Sequence, residues 1–320
     1  MQVLVTGAYG FVGNAVVREL AQAGHEVHAL TSRNGRVQLP DLPVARVWHA
    51  DIRNRTALGP ALRGADAVCH LAAVTGARGP VGQAPELHAI NAEGTRALVD
   101  TLTGTARIQG RRPLVVLASS AAVYGPQEGP IAEGTPPDPA NAYGRSKVQS
   151  ELILHDAVAG GYVAAAVLRC FNISGAVAGV GDRNESRIIP ATLAVAAGRS
   201  PRLQVAGDGT VVRDFVHVGD TALAFRLALE ATDTPAYRCY NVGATGASVN
   251  EIVDLARQLT GAPIPVKKLH PTAPEVPVSL ADTRHIRQDL GWLPQRSSLK
   301  QLLHDAWQAA NPTTPGTSRD

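Results

Sequence analysis

Only three cysteines, Cys69, Cys170 and Cys239, occur in the 320 residues. They are scattered, odd in number and form no C-x-x-C pair. Each sits in an apolar run, which fits buried free thiols in a reducing, cytosolic compartment. A strong charge of either sign is missing too. Thirty Lys and Arg against 27 Asp and Glu leave a net charge of +3, too little to argue for nucleic acid or a membrane surface as partner. No apolar stretch reaches the ~18 residues that a membrane-spanning helix needs. Met1-Gln2 runs straight into Val3-Leu4-Val5 with no basic region or cleavage site, so no secretory leader is expected. There is no internal repeat. Apolar residues make up 45% and charged residues 18%, an ordinary globular profile for one large domain or a large domain with a smaller lobe.

Val3-Leu4-Val5 reads as a strand buried on both faces. It leads into Gly7-Ala8-Tyr9-Gly10-Phe11-Val12-Gly13 and then a helical pattern over residues 14–23. G-x-x-G-x-x-G between a strand and a helix allows a tight turn and a close backbone approach, and it aims a helix N-terminus at a pyrophosphate. Gly7, Tyr9, Gly10, Phe11, Val12 and Gly13 are therefore candidate dinucleotide contacts.

The second strand, residues 26–30, ends in Thr31-Ser32-Arg33 and lacks the acid that would bond an adenosine ribose diol. Ser32 and Arg33 suit a 2′-phosphate, although a solvated loop arginine is the alternative. The cofactor is expected to be NAD(P), with NADP slightly favoured over NAD. The third strand, near residues 44–48, leads to Asp51-Ile52, either an adenine contact or a cap for the next helix.

Residues 66–73 read as a fourth strand, and the small residues in Leu71-Ala72-Ala73 let backbone lie against a cofactor. His70 reads as a packed core histidine rather than an acid–base. A loop over residues 75–85 precedes a helix over 86–103. In that helix Asn91 either bonds backbone near the site or sits on the surface. Residues 114–117 form a fifth strand ending in Ala118-Ser119-Ser120, where the carboxyl ends of parallel strands hold ligands. A Pro- and Gly-rich loop over 126–139 follows. Then comes Tyr143-Gly144-Arg145-Ser146-Lys147 at the start of a helix, with the phenol and the ammonium on one face. The lysine is expected to lower the phenol pKa. Ser120 to hold a hydroxyl, Tyr143 to move its proton and Lys147 to tune Tyr143 form a hydride-transfer constellation beside a nicotinamide.

These motifs run in a recognisable order: T-G-A-Y-G-F-V-G at 6–13, H-L-A-A at 70–73, S-S-A-A-V-Y-G at 119–125 and Y-G-R-S-K at 143–147. L-R-C-F-N at 168–172, R-D-F-V-H-V-G-D at 213–220, Y-N-V-G at 240–243 and D-L-G-W-L-P at 289–294 follow. The chain resembles the extended short-chain dehydrogenases/reductases, in their nucleotide-sugar epimerase/dehydratase group. The resemblance implies an α/β fold, a doubly wound parallel Rossmann sheet of about seven strands with a smaller C-terminal substrate lobe. By position, residues 1–172 would hold the dinucleotide, with part of 215–245 returning to that unit. Residues 173–310 would form mainly the lobe, and 311–320 a flexible tail. The resemblance implies catalytic roles for Ser120, Tyr143 and Lys147, with Ser119 beside the cofactor. Thr75, Ser120, Asn172 and Arg213 would meet a nucleotide-sugar substrate. It also implies a cytoplasmic homodimer and no metal.

Two absences narrow the chemistry. Dehydratases of this group carry an Asp-Glu pair after the catalytic hydroxyl, and related decarboxylases a glutamate; here Ala121-Ala122 stand there. Epimerisation at C4 through a keto intermediate is expected, with NADPH-dependent ketoreduction or a non-catalytic dinucleotide sensor as alternatives. The usual Arg-x-Gly-Asp is also missing. Thr272-Ala273-Pro274-Glu275 stand in that region, so the second diphosphate arginine is absent.

Overall fold

The structure, a computed structural model, describes residues 1–32, 41–76, 84–110, 112–231, 236–270 and 276–312. Arg33, residues 272–275 and most of the tail expected over 311–320 lie outside them.

Short runs of Val, Leu and Ala alternate with helices along the first half of the chain, the pattern of a parallel sheet covered on both faces. Seven strands form that sheet. Their order is Tyr237–Val242, Ala164–Cys170, Leu114–Ser120, Ala67–His70, Gln2–Thr6, Glu26–Thr31 and Arg46–His49. Every neighbouring pair is parallel. The seventh strand comes late in the chain, so the segment after residue 172 leaves the sheet and returns to it. The order reverses at Gln2–Thr6, which puts the switch point of the sheet between this strand and Ala67–His70. One face packs helices Phe11–Gln22 and Val218–Glu230, with Val16, Val17, Phe225 and Leu229 buried against Val3, Val5 and Leu168. The other packs helices Arg55–Leu62, Gly94–Gln109 and Ala142–Ala159, with Leu58, Leu98 and Leu154 against Leu4, Val115 and Val167.

The smaller lobe has its own core of Ile189, Leu193, Val205, Phe215, Ile252, Leu302 and Leu303. Its sheet runs Thr245–Ser248, Val212–His217, Val278–Ala281 and Gly129–Ile131, with Asn172–Ser174 also paired to Val212–His217. Helix Val249–Thr260 begins with a complete capping box, Ser248 with Glu251, as its sequence signals.

Two segments depart from expectation. The 126–139 segment contains a strand, Gly129–Ile131, at the edge of the lobe sheet. Pro130 is tolerated there because an edge strand leaves one side unpaired. The helix expected over 86–103 is interrupted: Ala84–Leu87 passes into a π-helical segment, His88–Glu93, before Gly94–Gln109. Asn91 lies in that segment, and π-bulges concentrate at functional sites.

Candidate active site

The carboxyl ends of the central strands open into a cleft of about 840 Å³ between the sheet and the lobe. Its walls bring together Gly7, Gly10–Gly13, Leu71, Ala73, Thr75, Ser119, Ser120, Tyr143, Lys147, Asn172 and Arg213. Residues distant in sequence thus meet where the topology places ligands.

The glycine turn is packed backbone to backbone. A Cβ on Gly13 would stand 2.1 Å from Gly7 O, and one on Gly7 would stand 2.8 Å from Ala72 N with φ at +68°. Gly10 caps helix Phe11–Gln22 without a side-chain hydrogen bond, leaving the helix N-terminus to an anion. Thr6 locks the neighbouring loop, since its Oγ1 accepts from Leu71 N at 3.1 Å and Ala72 N at 3.0 Å. This cradle fits a dinucleotide pyrophosphate.

The catalytic candidates converge from two elements. Ser120 ends a sheet strand and caps the turn Ala121–Val123 by accepting from Ala122 N at 3.2 Å. Tyr143 and Lys147 lie on helix Ala142–Ala159, started by Asn141, whose Oδ1 accepts from Gly144 N at 2.8 Å. Gly144 lets the helix touch that turn; a Cβ there would lie 2.3 Å from Ala122 O. The Tyr143 phenol and the Ser120 hydroxyl both line the cleft. Lys147 Nζ is buried and donates to Ala118 O at 2.8 Å, 5.8 Å from the centre of the Tyr143 ring.

The electrostatics differ from the expectation that Lys147 lowers the Tyr143 pKa. Burial raises the phenol pKa, opposed by the nearby Ser120 hydroxyl and by the Arg187 charge. Lys147 itself is lowered to about 8, because burial disfavours its ammonium. Its bond to a backbone carbonyl anchors it to the strand rather than to the phenol.

Other expected contacts are placed differently. Asn91 is buried and spends its amide on protein: Oδ1 accepts from Val74 N at 2.8 Å, and Nδ2 donates to Val74 O at 3.0 Å and Ser146 Oγ at 3.0 Å. It pins the loop before Thr75 to helix Ala142–Ala159. Asp51 forms a fork with Arg53, NH2 to Oδ2 at 2.6 Å, which holds its carboxyl down at about 2. Asn54, not Asp51, caps helix Arg55–Leu62. Ile52 is buried under Gly94 in the core. Tyr9 packs partly buried beside the first core, Ala72 stands behind the glycine turn, and Ser32 is exposed at the end of its strand. His70 is a core histidine, bonded to Thr6 Oγ1 at 2.8 Å and Thr95 Oγ1 at 3.0 Å, with its pKa lowered by burial to about 3.

On the lobe side, Asn172 Nδ2 donates to Asp214 O at 2.7 Å, and Arg213 NH1 donates to Val212 O at 3.0 Å and Val276 O at 2.9 Å. Asp214 is not the ion-pair partner of Arg213. Its carboxylate accepts from Ala244 N at 2.6 Å and Ala281 N at 2.9 Å instead. Sequence reasoning missed Asp182, Arg187 and Arg202, which also line the cleft. Only the position of Arg187 just before an apolar helix signalled it. Among the described residues no group of three or more His, Cys, Asp or Glu is placed to hold a metal ion. No described helix is long and apolar enough to cross a membrane.

Comparisons with known proteins agree with this arrangement. The model of the NAD dependent epimerase/dehydratase family matches residues 3–243. The UDP-glucose 4-epimerase of Corynebacterium glutamicum is 33% identical, over 96% of this chain and 95% of that protein. A crystal structure of UDP-glucose-4-epimerase from Stenotrophomonas maltophila, with bound NAD and formylated UDP-arabinopyranose, superposes with a TM-score of 0.86. It is 32% identical over 97% of each chain. MoeE5 in complex with UDP-glucuronic acid and NAD also reaches 0.86, at 29% identity over 97% of this chain and 99% of that one.

Proposed function

The chain belongs to the NAD-dependent epimerase/dehydratase family, and on that premise we propose that it interconverts nucleotide-diphosphate sugars at C4 through a 4-keto intermediate. One observation carries this reading. The hydroxyls of Tyr143 and Ser120 share one cleft with the glycine cradle and with Arg213 and Asn172, and alanines occupy the turn after Ser120.

NAD is the proposed cofactor. The NADP preference rested on Arg33, which lies outside the described residues, and the similar structures hold NAD. Gly7, Gly10, Phe11, Val12 and Gly13 would cradle its pyrophosphate, with Leu71 and Ala73 along the cleft. When bound, it supplies reversible oxidation of the sugar carbinol.

The protein's groups handle protons and position. Ser120 holds the oxygen at C4, and Tyr143 takes its proton and later returns it. Lys147, fixed by Ala118 O, keeps a positive charge near the developing oxyanion. Arg213 and Asn172 hold the diphosphate from the lobe, so the sugar turns over while its handle stays in place. Elimination of water needs an acid and a base beside the hydroxyl. Ala121 and Ala122 supply neither, which disfavours 4,6-dehydration.

The absence of an acid at Thr31 and Ser32 supports the second reading, a ketoreductase using the same residues in one direction. Purified protein is incubated with UDP-glucose and with UDP-galactose, without added cofactor. Interconversion is expected. If neither sugar reacts and NADPH is oxidised when a nucleotide keto-sugar is supplied, the reductase reading replaces the epimerase.

A further inference from the structure

Lys147 and Glu151 stand four residues apart on helix Ala142–Ala159, one turn along the same face, and both are buried. Each reaches the end of strand Leu114–Ser120. Lys147 Nζ donates to Ala118 O at 2.8 Å, and the next residue, Ser119, donates its Oγ to Glu151 Oε1 at 2.5 Å. The two bonds close on adjacent residues of the strand, and Ala118, Ser119 and Lys147 all line the cleft. Arg169 holds the other carboxylate oxygen, NH2 to Oε2 at 2.7 Å. A charge pair of this kind is expensive to bury, and apolar residues of similar volume would hold helix and strand together as well or better. Stability alone therefore does not account for a carboxylate at this place.

We propose that Glu151 is a positioning residue for the reaction above, fixing Lys147 against the strand end that carries Ser120 and keeping its ammonium charged. The inference deepens the nucleotide-sugar reading and rests on it, because Lys147 acts there as the cation beside the developing oxyanion. Glu151 works through Lys147 and Ser119 rather than by touching substrate. Its negative charge favours the ammonium against the burial that disfavours it. The other groups near Lys147 do not take its place. His70 has its pKa lowered by burial to about 3 and is neutral. Burial raises the Cys170 thiol to about 12 and raises the Tyr143 phenol as well, so neither is an anion near neutral pH. Arg169 is a cation, and His88 and Glu93 on the neighbouring π-helical segment are exposed. Among the described residues Glu151 is thus the carboxylate that acts on Lys147 where the lysine titrates.

The test uses the full chain with Glu151→Gln and, so that no buried charge is left unpaired, the double variant Glu151→Gln with Arg169→Met. Steady-state assays read kcat and KM for UDP-glucose from about pH 6 to about pH 10. In wild type, kcat is expected to fall as Lys147 loses its proton, at about pH 8. Both variants are expected to carry that falling limb at a pH lower by about one unit, with KM little changed. A limb that stays in place, whatever the variants lose in kcat or in unfolding midpoint, makes Glu151 a structural residue only. That result overturns this inference and leaves the nucleotide-sugar reading intact. So does a rise in KM with the limb unmoved. A wild type that turns over neither UDP-glucose nor UDP-galactose overturns both.

Discussion

Arg169 closes a buried fork on Glu151, with NH2 to Oε2 at 2.7 Å and Nε to Oε1 at 3.1 Å. Glu151 sits one helical turn after Lys147, and its Oε1 also accepts from Ser119 Oγ at 2.5 Å. Arg169 NH1 continues to Tyr124 OH at 3.0 Å, and Tyr124 OH donates to Asn241 Oδ1 at 2.7 Å. Helix Ala142–Ala159, the strand end carrying Ser119 and Ser120, and the adjacent strands Ala164–Cys170 and Tyr237–Val242 are thereby joined beneath the cleft. Ser120 and Lys147 hold their places because the groups next to them are bonded into this network.

Arg169→Met therefore leaves a carboxylate buried without its partner. Removing one member of such a pair costs about 3–5 kcal/mol. Urea unfolding should show a lower midpoint with an unchanged slope. The double variant Glu151→Leu with Arg169→Met should lose less than the two single losses combined, because the unpaired charge is gone. An Arg169→Met midpoint within error of wild type would sink this account of the network.

Tyr143→Phe removes only the proton-transfer group. Turnover should fall by about 10²–10⁴-fold, with unfolding midpoint and NAD binding little changed. Ser120→Ala should fall less, since Tyr143 keeps direct access to the substrate oxygen. Near-normal turnover in Tyr143→Phe would remove the proton relay from the mechanism.

The sequence-legible part of this site was its backbone-bound chemistry. A glycine turn between a strand and a helix, a hydroxyl at a strand end and a Tyr-x-x-x-Lys at a helix start each depend on local spacing. Local spacing survives folding. What was not legible depends on distant partners. Asn91 and Val74, Glu151 and Arg169, and Asp214 with the amides of Ala244 and Ala281 meet only once the sheet and lobe have formed. The reversal of the expected Tyr143 shift has the same origin. Residue spacing places Lys147 on the right helix face, but burial and the Ala118 carbonyl decide where its charge acts.

Two glycines should respond in opposite directions to alanine. At Gly144 a Cβ would meet Ala122 O at 2.3 Å and Pro139 Cβ at 2.9 Å. Helix Ala142–Ala159 would have to move away from the turn that Ser120 caps, drawing Tyr143 away from Ser120. Misplacement of that kind costs about 10²-fold in turnover. At Gly104, inside helix Gly94–Gln109, a Cβ would meet nothing within 4 Å. Gly104→Ala should stabilise by about 0.5–1 kcal/mol and leave turnover unchanged. Kinetics and urea midpoints on both variants check the pair; equal kcat in Gly144→Ala and wild type would refute the close approach.

Lys147 should make stability depend on pH in a direction that exposes its burial. Its pKa is lowered from 10.5 to about 8 in the folded chain. The unfolded lysine keeps its proton up to about 10.4. Between those values the unfolded state binds more protons, so the Lys147 contribution to stability rises with pH across that window. Below pH 8 the folded chain carries the full cost of a buried ammonium, on the order of 3–4 kcal/mol at about 1.4 kcal/mol per pKa unit. Lys147→Met removes the cost together with the hydrogen bond to Ala118 O, itself worth about 1–2 kcal/mol. At pH 7 the variant should therefore be at least as stable as wild type, though inactive. Wild type should then gain on it steadily between pH 8 and pH 10. Urea midpoints of both proteins at pH 7, 8.5 and 10 measure the difference, and other titrating groups cancel in the comparison. A difference that stays flat across the three pH values would mean that Lys147 is not the buried cation the cleft is built around.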